Sequence, residues 1–313
     1  MHNGRITGIN SALISAFFLG LAPVFGKAAM GADKFSPLGV VALRTSLAAL
    51  LLILILAIVR RQLLFIYPAA FYITTLAGVI NGIGSIFYYV GLSKLPASVA
   101  QMLYSLYPFF VAFWLQLDRQ APSKLTFLRI GVAGISTYLL TQGIAGRIDI
   151  IGVAFMLIAA AMYALHLPIN QRVLYDVPAP TVTVYTLIAM SAVVVPAYVI
   201  FDHTLPQNAA PWIPVLLLTG VTFASRLFLF LGVKHIGGMQ TALLGLAELI
   251  VAVSFSHVLL GESLTNTQWL GVCGLGVSLL LVWFEKPPSP PSHPHGLLGW
   301  LQPPDFPSDY YKH

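Results

Sequence analysis

The sequence predicts an all-α membrane protein: ten transmembrane helices forming two inverted five-helix repeats around a central cavity. Three observations predict it. Apolar stretches of about twenty residues follow one another from Gly8 to Phe284, and about twenty helical residues cross a hydrocarbon layer of roughly 30 Å. The composition is 58% hydrophobic and only 8% charged, with a mean hydropathy of +0.86, where soluble domains carry about 25% charged residues. The later stretches also echo the earlier ones.

Breaks at charges, Pro and Gly place the spans near 7–27, 37–58, 68–90, 96–116, 125–142, 149–169, 181–201, 211–233, 237–259 and 266–284. Helices are required because the bilayer core offers backbone groups no water, and the runs lack the period-two alternation of a membrane barrel. The first run, Gly8 to Gly26, follows Arg5 but exceeds a signal-peptide core and lacks a small-x-small cleavage site, so it is read as a retained span. An even number of spans puts both termini on one side. That side holds Arg5, Arg60, Arg61, Arg119, Lys124, Arg129, Arg172, Lys234, Lys286 and Lys312, and the other only Lys27, Lys34, Lys94 and Arg147. This bias predicts cytoplasmic termini in a bacterial plasma (inner) membrane. The net charge of +6 is scattered singly between spans, which suits orientation in a membrane and not nucleic-acid binding.

The repeat is read from paired motifs. Phe87-Tyr-Tyr-Val-Gly91-Leu-Ser-Lys-Leu95 aligns with Phe228-Leu-Phe-Leu-Gly232-Val-Lys-His-Ile236 at a shift of 141 residues. Pro23-Val-Phe-Gly-Lys27 aligns with Pro168-Ile-Asn-Gln-Arg172, and Gly131 with Gly271. The expected organisation is a first five-helix repeat over 1–145, a second over 146–286 and a disordered Pro-rich tail over 287–313. Since five is odd, the second repeat enters the membrane upside down. Pro23 and Pro168 occupy matching positions and are expected to kink their spans.

Polar residues inside spans are the candidate functional groups, because each buried charge costs about 2.5–3.5 kcal/mol at a helix centre unless compensated. Arg44, Arg226 and Glu248 are the intramembrane charges. Tyr104, Tyr107 and Trp114 make an aromatic stripe on the fourth span, with Tyr107 at the repeat position of Glu248. Asn81, Ser85 and Tyr88 share a stripe on the third span, Ser85 being the counterpart of Arg226; Tyr163, His166 and Asn170 share one on the sixth. These stripes predict a wet central cavity. Structural readings compete: an Arg226–Glu248 pair that only fixes packing, an Arg44 that snorkels to headgroups, a His166 that only packs. Lys27 and Arg44 are candidates for gating or charge roles.

No His-Glu-x-x-His, Gly-x-Ser-x-Gly or Walker loop occurs, and no catalytic residues are nominated. The single Cys273 excludes a disulfide framework or a Cys-based zinc site, so no cofactor or metal is expected.

Lys27 at the end of span one, Leu43-Arg44-Thr45-Ser46-Leu47-Ala48, Gly91, Leu106-Tyr107-Pro108, and Leu260-Gly261-Glu262-Ser263-Leu264 with Gly271 together resemble the drug/metabolite transporter superfamily, in its ten-span EamA-like branch. The likeness runs from Gly8 to Phe284. Asp118-Arg119 departs from the family's usual Gly-Glu turn, and Glu248-Leu249 replaces an expected proline. The resemblance implies a secondary carrier, often an exporter of amino acids, related metabolites or drugs, working by alternating access in a basket-like bundle. Its partners would be a small-molecule solute, membrane lipids and, as a candidate coupling ion, the proton. A lipid-linked sugar or lipid flippase and a non-transporting membrane scaffold are the alternatives.

Overall fold

In the computed structural model the described residues are 2–31, 33–119, 122–141, 149–202, 205–206, 208–260 and 265–284. They are helical apart from turns and one isolated bridge between Met30 and Phe35. The helices are α1 (His2–Ala29), α2 (Pro37–Val59), α3 (Pro68–Lys94), α4 (Ala97–Tyr104), α5 (Tyr107–Leu117), α6 (Lys124–Thr141), α7 (Ile150–Leu174), α8 (Ala179–Phe201), α9 (Trp212–Gly245), α10 (Ala247–Leu260) and α11 (Asn266–Leu280). The proposed tail over 287–313, Arg147 and the Gly261–Leu264 motif lie outside the described residues.

Local sequence sets these ends. The Ser36 side chain accepts from Gly39 N at 3.0 Å ahead of Pro37, whose missing N–H is no loss in a first turn. Thr265 and Gln268 form a capping box at α11. Asp149 caps α7, and the N–H groups of Gly152 and Ile151 hold its carboxyl below the usual range. That cap acts fully at neutral pH and weakens as pH falls through the lowered value.

Seven helical stretches among the described residues are long and apolar enough to cross a membrane. One of them, Trp212–Ala252, has 41 residues, about 60 Å if straight and enough for two crossings. It is not straight: Gly237 adopts φ 81°, ψ 162°, a conformation open to glycine and costly for other residues. The repeat counterpart of Gly237 at the 141 shift is Pro96, which caps α4.

A second interruption recurs in both halves. Between α4 and α5, Leu106 N bonds Leu103 O and Phe109 N bonds Leu106 O; between α9 and α10, Leu246 N bonds Leu243 O and Leu249 N bonds Leu246 O. These tight turns match at a shift of 140, one less than before the break. The register therefore corrects a sequence expectation: Glu248 falls opposite Pro108 and not opposite Tyr107. The prolines expected to kink spans, Pro23 and Pro168, lie inside α1 and α7, which remain helical on both sides of them. Helix breaks occur where α4 meets α5 and α9 meets α10.

Packing crosses between the halves. α1 lies along α9 and α10, α7 along α3 and α5, α2 along α8 and α9, α3 along α8, and α6 against α11. Exchanging each helix for its counterpart leaves this pairing pattern intact. Close approach rests on small residues. A Cβ on Gly8 would stand 2.7 Å from His235 Cβ, while Ser15 Oγ donates to Ser225 O at 2.8 Å, so α1 and α9 run antiparallel. Gly91 faces Met156 and Gly84 faces Met162, so α3 and α7 are antiparallel too. Gly78 meets Thr186 and Gly82 meets Met190, so α3 and α8 run parallel.

Candidate functional site

Helices of both halves line a polar cavity. Arg44 comes from α2; Asn81, Gly84, Ser85, Tyr88 and Tyr89 from α3; Gln101 and Tyr104 from α4; Ala159 and Tyr163 from α7; Arg226 from α9; Glu248 from α10; Leu19 and Ala22 of α1 close an apolar side. Its volume is about 30 Å³, which corresponds to room for about two waters. The three intramembrane charges read from sequence thus meet in one place. All are buried, at 7%, 4% and 1% exposure for Arg44, Arg226 and Glu248.

Arg44 does not snorkel. Its Nη1 donates to Thr222 Oγ1 at 3.1 Å, its Nη2 to Ser85 Oγ at 3.5 Å, and its guanidinium lies 4.7 Å from the centre of the Tyr89 ring. Arg226 stands over Tyr163 at 5.3 Å and reaches His166 Nε2 at 3.5 Å. A guanidinium only donates, so His166 Nε2 accepts and the ring proton sits on Nδ1, against Tyr163 O. His166 therefore positions Arg226 from outside the cavity. Among the described residues Arg226 and Glu248 form no ion pair with each other, which removes the reading of a self-neutralised packing pair. Glu248 lines the same cavity as Gln101, whose Oε1 accepts from Tyr88 Oη at 3.1 Å; among the described residues Glu248 Oε1 is buried without a hydrogen-bond partner.

Asn81, Ser85, Tyr88, Tyr104, Tyr163, Arg226 and Glu248, all read as cavity residues, do line it; Tyr107, Trp114 and His166 do not. The break between α4 and α5 turns Tyr107 toward the other half, where its hydroxyl donates to Ala242 O at 3.0 Å. Trp114 Nε1 donates to Ala161 O at 3.1 Å. Asn170, on the stripe of Tyr163, also lies off the cavity. Lys27 sits at the end of α3, where its ammonium donates to the carbonyls of Leu92, Ser93 and Leu95 and satisfies a helix C-terminus. Gln101 and Tyr89 were missed. Gln101 had a usable signal, a polar residue three positions before Tyr104 in an apolar span.

The first break is tied across the halves, Tyr107 to Ala242, while Glu248, beside the second, lines the cavity with Gln101, the counterpart of Ala242 at the 141 shift. Gly245 makes the Tyr107 tie feasible, since a Cβ there would stand 1.8 Å from Tyr107 Oη. Gly245→Ala should destabilise the protein by about 1–3 kcal/mol through overpacking. Adding Tyr107→Phe should recover part of that loss in thermal melts of the purified protein, because the clashing hydroxyl is gone.

Long apolar helices, repeated packing and a buried polar cavity built from both halves define an integral multi-pass membrane transporter. The chain belongs to the EamA-like transporter family, whose model matches residues 6–142 and again residues 150–284. It is 29% identical over 206 residues to an uncharacterized transporter of Synechocystis sp., a match spanning 63% of this chain and 62% of that relative's length. A protein of known crystal structure aligns with a TM-score of 0.70 at 16% identity, over 91% of this chain and 97% of the other, which shows the shared fold. Family and relative are both described as transporters.

Proposed function

We propose that this chain is a secondary transporter that exports small metabolites, such as amino acids or related amphipathic compounds, by alternating access. In this reading it crosses the membrane ten times. α4 and α5, with 8 and 11 residues, make one crossing broken near its middle, and the stretch from Trp212 to Leu260 makes two, divided at Gly237. The two halves, near 1–145 and 146–286, then have opposite orientations. Support comes from helix directions: α8, the counterpart of α2, runs parallel to α3, whereas α2 and α3 as successive crossings run opposite ways. Both termini lie in the cytoplasm of a bacterial plasma membrane, as the basic residues argue.

The observation that carries the reading is the cavity, whose charged and aromatic walls are supplied jointly by the two halves. Rocking of one half against the other would expose such a site alternately to each side. At about 30 Å³ it holds a polar head group and not a whole metabolite, so loading requires the helices to part. The test is flux of an amino-acid and metabolite panel through purified protein in liposomes, with and without a pH gradient. Saturable flux of at least one solute is expected. Absence of flux across the panel, or labelling that places the two termini on opposite faces, would overturn the carrier reading.

A further inference from the structure

We propose that Arg44 and Arg226 together form a carboxylate-binding subsite, so that the carried solute is a monocarboxylate whose head lies across the junction of the two halves. The proposal rests on the carrier reading above and narrows its solute.

The two guanidiniums reach the same wall from different halves. Arg44 of α2 bonds Thr222, one helical turn before Arg226 on α9, and also reaches Ser85, the repeat counterpart of Arg226. Two like charges held this close in a lipid-embedded core repel and are poorly hydrated. Among the described residues neither makes an ion pair: Glu248 is the acidic residue lining the cavity, and no oxygen of Glu248 lies within 4.0 Å of a nitrogen of either arginine.

Their remaining donors have a definite geometry. Each guanidinium carbon lies over a tyrosine ring, at 4.7 Å and 5.3 Å from its centre, an attraction that uses none of its N–H donors. Arg44 Nε is buried with no hydrogen-bond partner. Arg226 has one side-chain partner, His166, which uses only Nη1. A carboxylate satisfies such N–H donors with two parallel hydrogen bonds, which neither an alcohol nor an ammonium provides. Size agrees: about 30 Å³ fits two oxygens and little more. Tyr104 and Tyr163 offer flat apolar surface for the solute body.

The test is calorimetric titration of the full-length protein in lipid nanodiscs, at constant ionic strength, with benzoate, hexanoate, benzyl alcohol and benzylamine. The expected result is binding of at least one carboxylate, at least tenfold tighter than benzyl alcohol or benzylamine. Arg44→Gln and Arg226→Gln should each weaken carboxylate binding at least tenfold. Arg226→Lys should weaken it too, because a lysine keeps the charge and loses the fork. Failure of both carboxylates to bind, equal or tighter binding of the amine, or carboxylate affinity unchanged in folded variants would overturn the proposal. The wild-type comparison alone decides it should the variants fail to fold. Flux of a neutral or cationic solute without carboxylate binding would sink this subsite and leave the carrier reading intact; carboxylate binding without flux of any solute would do the reverse.

Discussion

Glu248→Gln is expected to cut transport at least about tenfold while leaving the protein folded and inserted, a loss of about 1.4 kcal/mol or more in productive binding or coupling. The residue is 1% exposed, and among the described residues its Oε1 has no hydrogen-bond partner. Glutamine is nearly isosteric and preserves packing. It removes an acidic group that lines the same cavity as the two guanidiniums. Initial rates in liposomes, read beside melting temperature and size-exclusion profile, give the answer. Full flux from the variant would reduce Glu248 to a packing residue.

Asp118→Ala is expected to cost about 3–5 kcal/mol of stability, the usual result of stripping one partner from a buried ion pair. Asp118 closes α5 in the first half, and its carboxylate binds the Arg172 guanidinium of α7 in the second; their side chains are 0% and 8% exposed. Asp118→Asn keeps an acceptor and should fall near the lower end of that range. Neutralising both partners, Asp118→Asn with Arg172→Gln, should recover much of the loss because no charge is then stranded. Chemical denaturation of the three variants in the same detergent checks the order. Equal stability of Asp118→Ala and wild type would make the pair energetically idle.

A helix break resets the rotational phase of every side chain after it, and local periodicity does not carry that change. Arg44, Arg226 and Glu248 were legible because a charge in an apolar span is costly wherever it points, so its presence alone marks an interior surface. The α3 stripe of Asn81, Ser85 and Tyr88 was legible because α3 is unbroken and helical spacing holds along it. Extending the same spacing from Tyr104 to Tyr107 and Trp114 failed, since the tight turn at Ser105 and Leu106 changes the phase of everything after it. The same turn hid the true counterpart of Glu248, one residue away from where a constant shift put it. His166 failed for another reason. It shares the stripe of Tyr163, but its ring is held against the Tyr163 carbonyl and supports Arg226 from behind.

Sequence by itself determined that this chain lives in lipid, that it is helical and that it is made of two related halves, because hydrophobic length, backbone satisfaction and recurrence are properties of the chain read in order. Only the tertiary structure decided which polar residues share a cavity, that the arginines lie over Tyr89 and Tyr163, and that helix breaks fall at Leu106 and Leu246. Those outcomes depend on contacts between different helices, and on the phase left by each break, neither of which is encoded in local periodicity.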